Sequence, residues 1–214
     1  LRSIDAADLG IAHPTGLTYS ASAGVFMAVG APGAADIVTF DPFENPTGTN
    51  RLAAGLAQPL NTGFIAAGES LLAVNGAAGE WLAVGVGPRG LQPAQPISRF
   101  DASALRLGNP QGMAIDEAGG RVFILDAAGP NLVTVTADLS NLIGELAAGR
   151  GTVQRVRLNM PAGATVRGLA YHSVSGHLFV GDLARSALYE MSADGHLLRQ
   201  YDLSEAGLIA PQGM

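Results

Sequence analysis

Pro110-Gln111-Gly112-Met113-Ala114-Ile115, a short polar turn, and then Val122-Phe123-Ile124-Leu125-Asp126 form the passage on which the fold turns. A glycine-anchored apolar stretch, a turn, and a second stretch rich in β-branched and aromatic residues spell two antiparallel strands. The layout recurs at Pro14-Thr15-Gly16-Leu17-Thr18-Tyr19 with Val25-Phe26-Met27-Ala28-Val29. It recurs again at Val166-Arg167-Gly168-Leu169-Ala170-Tyr171 with Leu178-Phe179-Val180-Gly181-Asp182. A weaker copy joins Asn61-Thr62-Gly63-Phe64-Ile65 to Leu71-Leu72-Ala73-Val74-Asn75, and a fifth begins at Pro211-Gln212-Gly213-Met214.

The anchoring residues Gly16, Gly63, Gly112, Gly168 and Gly213 are spaced by 47, 49, 56 and 45 residues. A blade of four strands takes about 40 to 50 residues. Third strands follow at Asp36–Phe40, Leu132–Thr136 and Ala187–Met191, and a fourth is clearest at His196–Asp202. Ser192-Ala193-Asp194-Gly195 separates the last two, and Asp-Gly between alternating runs marks a tight hairpin because glycine accepts positive φ cheaply. With 29 Gly and 12 Pro punctuating the chain, Leu139 to Ala147 is the one stretch with a helix-like pattern.

The expected fold is therefore all-β, a β-propeller of four-stranded antiparallel blades at 9–58, 59–107, 108–160 and 161–209. Residues 1–8 read as the outer strand of a preceding blade and 210–214 as the start of the next, because Leu1–Gly10 resembles Leu198–Gly207. Such ends would leave sheet edges unpaired, so further blades are expected in the parent chain, making a six-bladed ring; the alternative is a closed four-bladed ring.

Composition narrows the function classes. The 214 residues are 48% hydrophobic and 14% charged, enough to bury a core and too apolar for a disordered chain. Apolar runs such as Leu71–Val74 and Val122–Leu125 fall far short of the roughly 20 residues of a transmembrane helix, so no membrane span is expected. Cysteine is absent, which excludes disulfides and thiolate metal sites. All twelve basic residues are arginine and the net charge is −6, a poor match to a nucleic-acid surface. The densest basic group, Arg150, Arg155 and Arg157, reads as a solvated strand edge.

The Pro-x-Gly-(Leu/Met)-(Ala/Thr)-(Tyr/Ile) opening, the Leu178-Phe179-Val180-Gly181-Asp182 strand and the ending Leu188-Tyr189-Glu190 through Gly195-His196-Leu197-Leu198 resemble the six-bladed NHL-like propellers. Within that superfamily the likeness is nearest to the SdiA-regulated or phytase-like esterase group and more distant from the gluconolactonases. In the metal-dependent members the residue between Pro and Gly is often a Glu facing the central channel. Here the position holds Thr15, Thr62, Gln111, Arg167 and Gln212, which offer no carboxylate to Ca²⁺.

Asp126 and Asp182 end their second strands at equivalent places, with Asn75 at a similar point of the weaker copy. Together with the pre-glycine row they are the candidate channel-mouth binding residues. Two readings stand for the carboxylates: polar contacts to a ligand, or acceptors for backbone N–H groups in the following turn. Asp41–Asn50 and Gly85–Ser98 read as long loops, the second a recognition element. His13, His172, His177 and His196 show no metal-ligand spacing; His172 and His177 span a hairpin turn, which places both at the turn side and away from a shared metal. Trp81 reads as strand packing, and no nucleophile elbow is present. No metal or other cofactor is expected, with Ca²⁺ the ion left open.

Two functions follow. The first is a non-catalytic binding domain of a secreted or envelope-associated bacterial protein, extracellular or periplasmic, whose partner is a protein, a polymer or a small molecule at the channel mouth or loops. The second is a calcium-dependent phytase-like or esterase-like hydrolase completed by blades outside this sequence.

Overall fold

In the computed structural model, the described residues are 7–9, 11, 16–20, 24–30, 36–43, 45–51, 60–66, 69–75, 79–87, 90–91 and 97–206. Thr15, Gln212, His13, residues 1–6 and residues 210–214 lie outside them, as do the two expectations for the ends, except that residues 7–9 form a turn. Strands occur in four antiparallel sheets taken in chain order, the blades of a β-propeller.

The chain divides into two compact units, 1–104 and 105–214. In the first, β1 (Gly16–Ser20), β2 (Val25–Val29), β3 (Asp36–Phe40) and β4 (Pro46–Arg51) make one blade in that order. The second blade runs through β5 (Leu60–Ile65), β6 (Ser70–Asn75), β7 (Glu80–Gly87) and, past a two-residue strand β8 (Gly90–Leu91), β9 (Ile97–Asp101), which pairs with β7. Alternate residues of these strands, among them Met27, Val29, Ile37, Phe64, Leu71, Ala73, Leu82 and Val84, interlock as the core of this unit.

The second unit holds β10 (Pro110–Asp116), β11 (Arg121–Asp126), β12 (Asn131–Thr136) and β13 (Thr152–Arg157), then β14 (Val166–His172), β15 (His177–Asp182), β16 (Ala187–Met191) and β17 (Leu197–Asp202). Its core joins Phe123, Leu125 and Leu132 of one blade to Leu169, Leu178, Val180, Tyr189 and Met191 of the other. Burial alternates along β15, where Leu178, Val180 and Asp182 are covered and His177, Phe179 and Gly181 lie at the other face. The Ser192–Gly195 turn closes with Gly195 at φ 87 and a Gly195 N–H to Ser192 carbonyl bond of 3.0 Å.

The glycine anchor has a packing cause at Gly112. A Cβ there would lie 2.6 Å from the Leu169 nitrogen and 2.8 Å from the Gly168 carbonyl carbon, so only glycine lets the first strands of the two blades approach this closely.

Three sequence expectations need correcting. Asp41–Asn50 is not one loop: Asp41 Oδ1 caps the Phe43 and Asn45 N–H groups in a tight turn, and the chain from Pro46 onward is β4. Gly85–Ser98 is likewise largely strand at its ends, since β7 continues to Gly87, doubles back as β8, and β9 begins at Ile97. The arginine edge is solvated and more: all three residues are exposed, but Arg155 also pairs with the buried Asp126 and Arg150 with Glu145. The helix-like stretch becomes a 3-10 turn at Leu139–Asn141 followed by one short helix, α1 (Leu142–Ala147).

Candidate ligand-binding site

The first strands of the second unit each carry a β-bulge at the pre-glycine position or beside it. Between Pro110 and Gly112 the register against β11 slips, leaving Gln111 as the extra residue; between Arg167 and Leu169 it slips against β15, leaving Gly168 extra at φ 75. A bulge re-aims the neighbouring side chain. The consequence is that Arg167 Nε donates to Gln111 Oε1 at 3.0 Å, across two blades, while Gln111 Nε2 donates to Asn109 Oδ1 at 2.7 Å. Two of the sequence-selected residues are thus brought together, with Gln111 buried.

Thr62 occupies the corresponding position of β5, buried, and its Oγ1 is without a hydrogen-bond partner. Asn75 closes β6 opposite Leu60 and Glu80; its side chain is outside the described set.

Asp126 and Asp182 are each 2% exposed. Asp126 Oδ1 accepts from the N–H groups of Asn109 (2.8 Å) and Ala128 (3.3 Å), and Oδ2 from Gly108 N–H (3.1 Å) and Arg155 Nη1 (2.9 Å). Asp182 Oδ1 accepts from Thr165 N–H and Ala184 N–H, both at 3.0 Å, and Oδ2 from Arg185 Nη1 and Tyr189 Oη, also both at 3.0 Å. An ionised carboxylate offers about four acceptor directions, so both groups are saturated.

Burial works against ionisation at both positions, but the donors outweigh it. Arg155 with the Asn109, Gly108 and Ala128 amides holds the Asp126 carboxyl below its ordinary 3.8, and Thr165 N–H, Arg185 and Tyr189 do the same for Asp182. Burial, with the ionised Asp182 beside it, raises the Tyr189 hydroxyl above 10.0.

The two carboxylates are built into one device. Each takes an N–H from a residue 17 positions upstream, in the loop that leads into its own blade, and each holds an arginine. Arg155 Nη2 donates to the Leu105 and Arg106 carbonyls, and Arg185 Nη2 to the Ala162 carbonyl, which stands before Thr165 as Arg106 stands before Asn109. Arg155 comes from the outermost strand β13, Arg185 from the turn between β15 and β16.

Sequence reading selected the aspartates but missed Asn109, Arg155, Arg185 and Tyr189. An Asp-x-x-Arg spacing was available for Arg185; Arg155 is 29 residues from its acid and had no local signal. Among the described residues, no three His, Asp or Glu side chains gather as a metal-holding group.

No family profile matches the chain, and no curated protein does. Solved structures match over most of its length. A protein of unknown function from Bacteroides thetaiotaomicron aligns with TM-score 0.60 at 11% identity, covering 87% of this chain and 42% of its own. A candidate 6-phosphogluconolactonase from Bacteroides fragilis aligns with TM-score 0.55 at 14% identity over 90% of this chain and 57% of its own, and another from Bacteroides uniformis with 0.53 at 15% over 88% and 57%. At these identities the likeness establishes the fold alone. The chain spans only about two fifths to three fifths of the length of these three structures.

Proposed function

We propose that this chain is part of a non-catalytic binding propeller of the NHL-like kind, set in a secreted or envelope protein, which takes a protein, polymer or small-molecule ligand at the first-strand row and the loops beside it. The observation that carries the reading is the saturation of Asp126 and Asp182: the two most deeply covered strand-end carboxylates spend every acceptor direction on the fold, and a saturated carboxylate neither takes a substrate proton nor ligates Ca²⁺ without dismantling its loops. In the second unit the neighbouring pre-glycine positions offer an amide and a guanidinium, Gln111 and Arg167, which suit recognition of oxygen-rich groups.

Adding Ca²⁺ to the metal-stripped full-length protein tests it. No rise in melting temperature, and no turnover of phosphoester, carboxylester or lactone probes with Ca²⁺ present, is the expected result. A marked Ca²⁺-dependent rise together with turnover would replace the binding reading by a calcium-dependent hydrolase, because an ion held only by the folded state must stabilise it.

A further inference from the structure

The hairpin joining β14 to β15 places His172 directly opposite His177, the last registered pair of the two strands. Residues opposed in an antiparallel pair project from the same face with Cβ atoms roughly 4.5–5.5 Å apart. The sequence reading put both imidazoles at the turn side of a hairpin and away from a shared ion; the strand register sets them opposite one another. The Phe179 ring, two residues along β15 from His177, meets His172 edge-on at 6.5 Å, which fixes the common face.

Both rings are tethered through the same nitrogen. His177 Nδ1 lies 2.7 Å from Glu190 Oε1, and the other oxygen of that carboxylate accepts from Tyr201 Oη at 2.6 Å. His172 Nδ1 lies 2.9 Å from Ser175 Oγ in the hairpin turn. With hydrogen on Nδ1, both rings donate to these oxygens and keep an Nε2 lone pair. A carboxylate behind an imidazole is the arrangement that orients a metal-ligating histidine and raises its basicity. In the other His172 tautomer Nδ1 accepts from the Ser175 hydroxyl at 2.9 Å and from Ser175 N–H at 3.4 Å; an ion bound at Nε2 selects the Nδ1–H form, in which the ring donates to Ser175 Oγ.

We propose that His172 and His177 form a two-imidazole site for a divalent first-row transition ion through their Nε2 atoms, with Glu190 as the positioning residue for His177 and water completing the coordination. Imidazole nitrogen selects Zn²⁺, Ni²⁺ or Cu²⁺ over Ca²⁺ and Mg²⁺, so this site is independent of the reading above and of its Ca²⁺ test. His172 is exposed and His177 half-buried at the end of the sheet, which leaves the ion a path from solvent.

The test is Zn²⁺ titration of the full-length protein in competition with a chromophoric chelator. Wild type should take up one equivalent at this site; His172→Gln and His177→Gln should each lose at least about tenfold in affinity, and Glu190→Gln about tenfold, the size of effect that outer-shell partners exert. His13→Gln and His196→Gln should bind as wild type does. Melting curves on each variant separate lost binding from lost fold. No stoichiometric Zn²⁺ in wild type, undiminished affinity in folded His172→Gln and His177→Gln, or a loss caused by His13→Gln or His196→Gln would each overturn the proposal.

Discussion

A carboxylate held below its ordinary pKa by native contacts makes stability depend on pH with a defined sign. The unfolded chain binds protons at Asp126 and Asp182 more readily than the folded one, so their contribution is complete above about pH 5 and is lost as pH falls through the folded-state values. Denaturant midpoints taken from pH 7 down to pH 2 should drop steeply below pH 4, and an Asp182→Asn variant, weaker at neutral pH, should show a shallower acid limb. Tyr189→Phe removes one donor to that carboxylate and should cost about 1–2 kcal/mol in urea unfolding at pH 7. Arg155→Ala and Arg185→Ala should each cost about 1–2 kcal/mol; both arginine side chains are 34% exposed, which keeps the loss below that of a fully buried pair.

Elements were legible in the sequence where alternation and turn chemistry agreed. Strands β10 to β12 and β14 to β17 announce themselves through β-branched and aromatic residues between glycine-bearing turns. β4 does not, because Pro46-Thr47-Gly48-Thr49-Asn50-Arg51 carries no apolar residue; its strand state comes from pairing with β3, a tertiary cause that composition cannot carry. β8 is hidden for a similar reason, being two residues long and defined by its partner. The bulges are silent as well: nothing in Pro-Gln-Gly says that Gln111 is the unpaired residue. The close approach at Gly112 supplies the test at this scale. Gly112→Ala sets a Cβ against the Leu169 backbone and should cost about 1–3 kcal/mol, read as a lowered urea midpoint with the slope unchanged.

Among the described residues of the second unit, the outermost strand of each blade is the least covered. Val122 through Leu125 are 0% exposed, whereas β13 and β17 show mostly open side chains. Amide exchange followed by mass spectrometry should therefore rise and fall with the repeat, slowest in β11, β12 and β15 and fastest in β13 and β17. A pattern with no minimum in the middle strands would contradict the burial gradient. The blade architecture was readable because repetition multiplies a weak signal. The site was readable only in part, because Gln111 and Arg167 share a column of the repeat while their bond, like that of Asp126 to Arg155, depends on which chain segments fold against one another.

The two arginines that brace the strand-end aspartates bear on how such blades can be recombined. Joining the first two strands and turn of 110–130 to the last two strands of 187–202 would yield a blade with neither guanidinium, so the carbonyls of the preceding loop would lose the cation that ties them to the acid. The reciprocal splice, carrying both Arg185 and Arg155, would set two cations contending for one carboxylate. Neighbouring repeats that look interchangeable in an alignment are therefore not exchangeable by halves, and a shuffled library drawn from them should lose viable members at the boundary between the second and third strands.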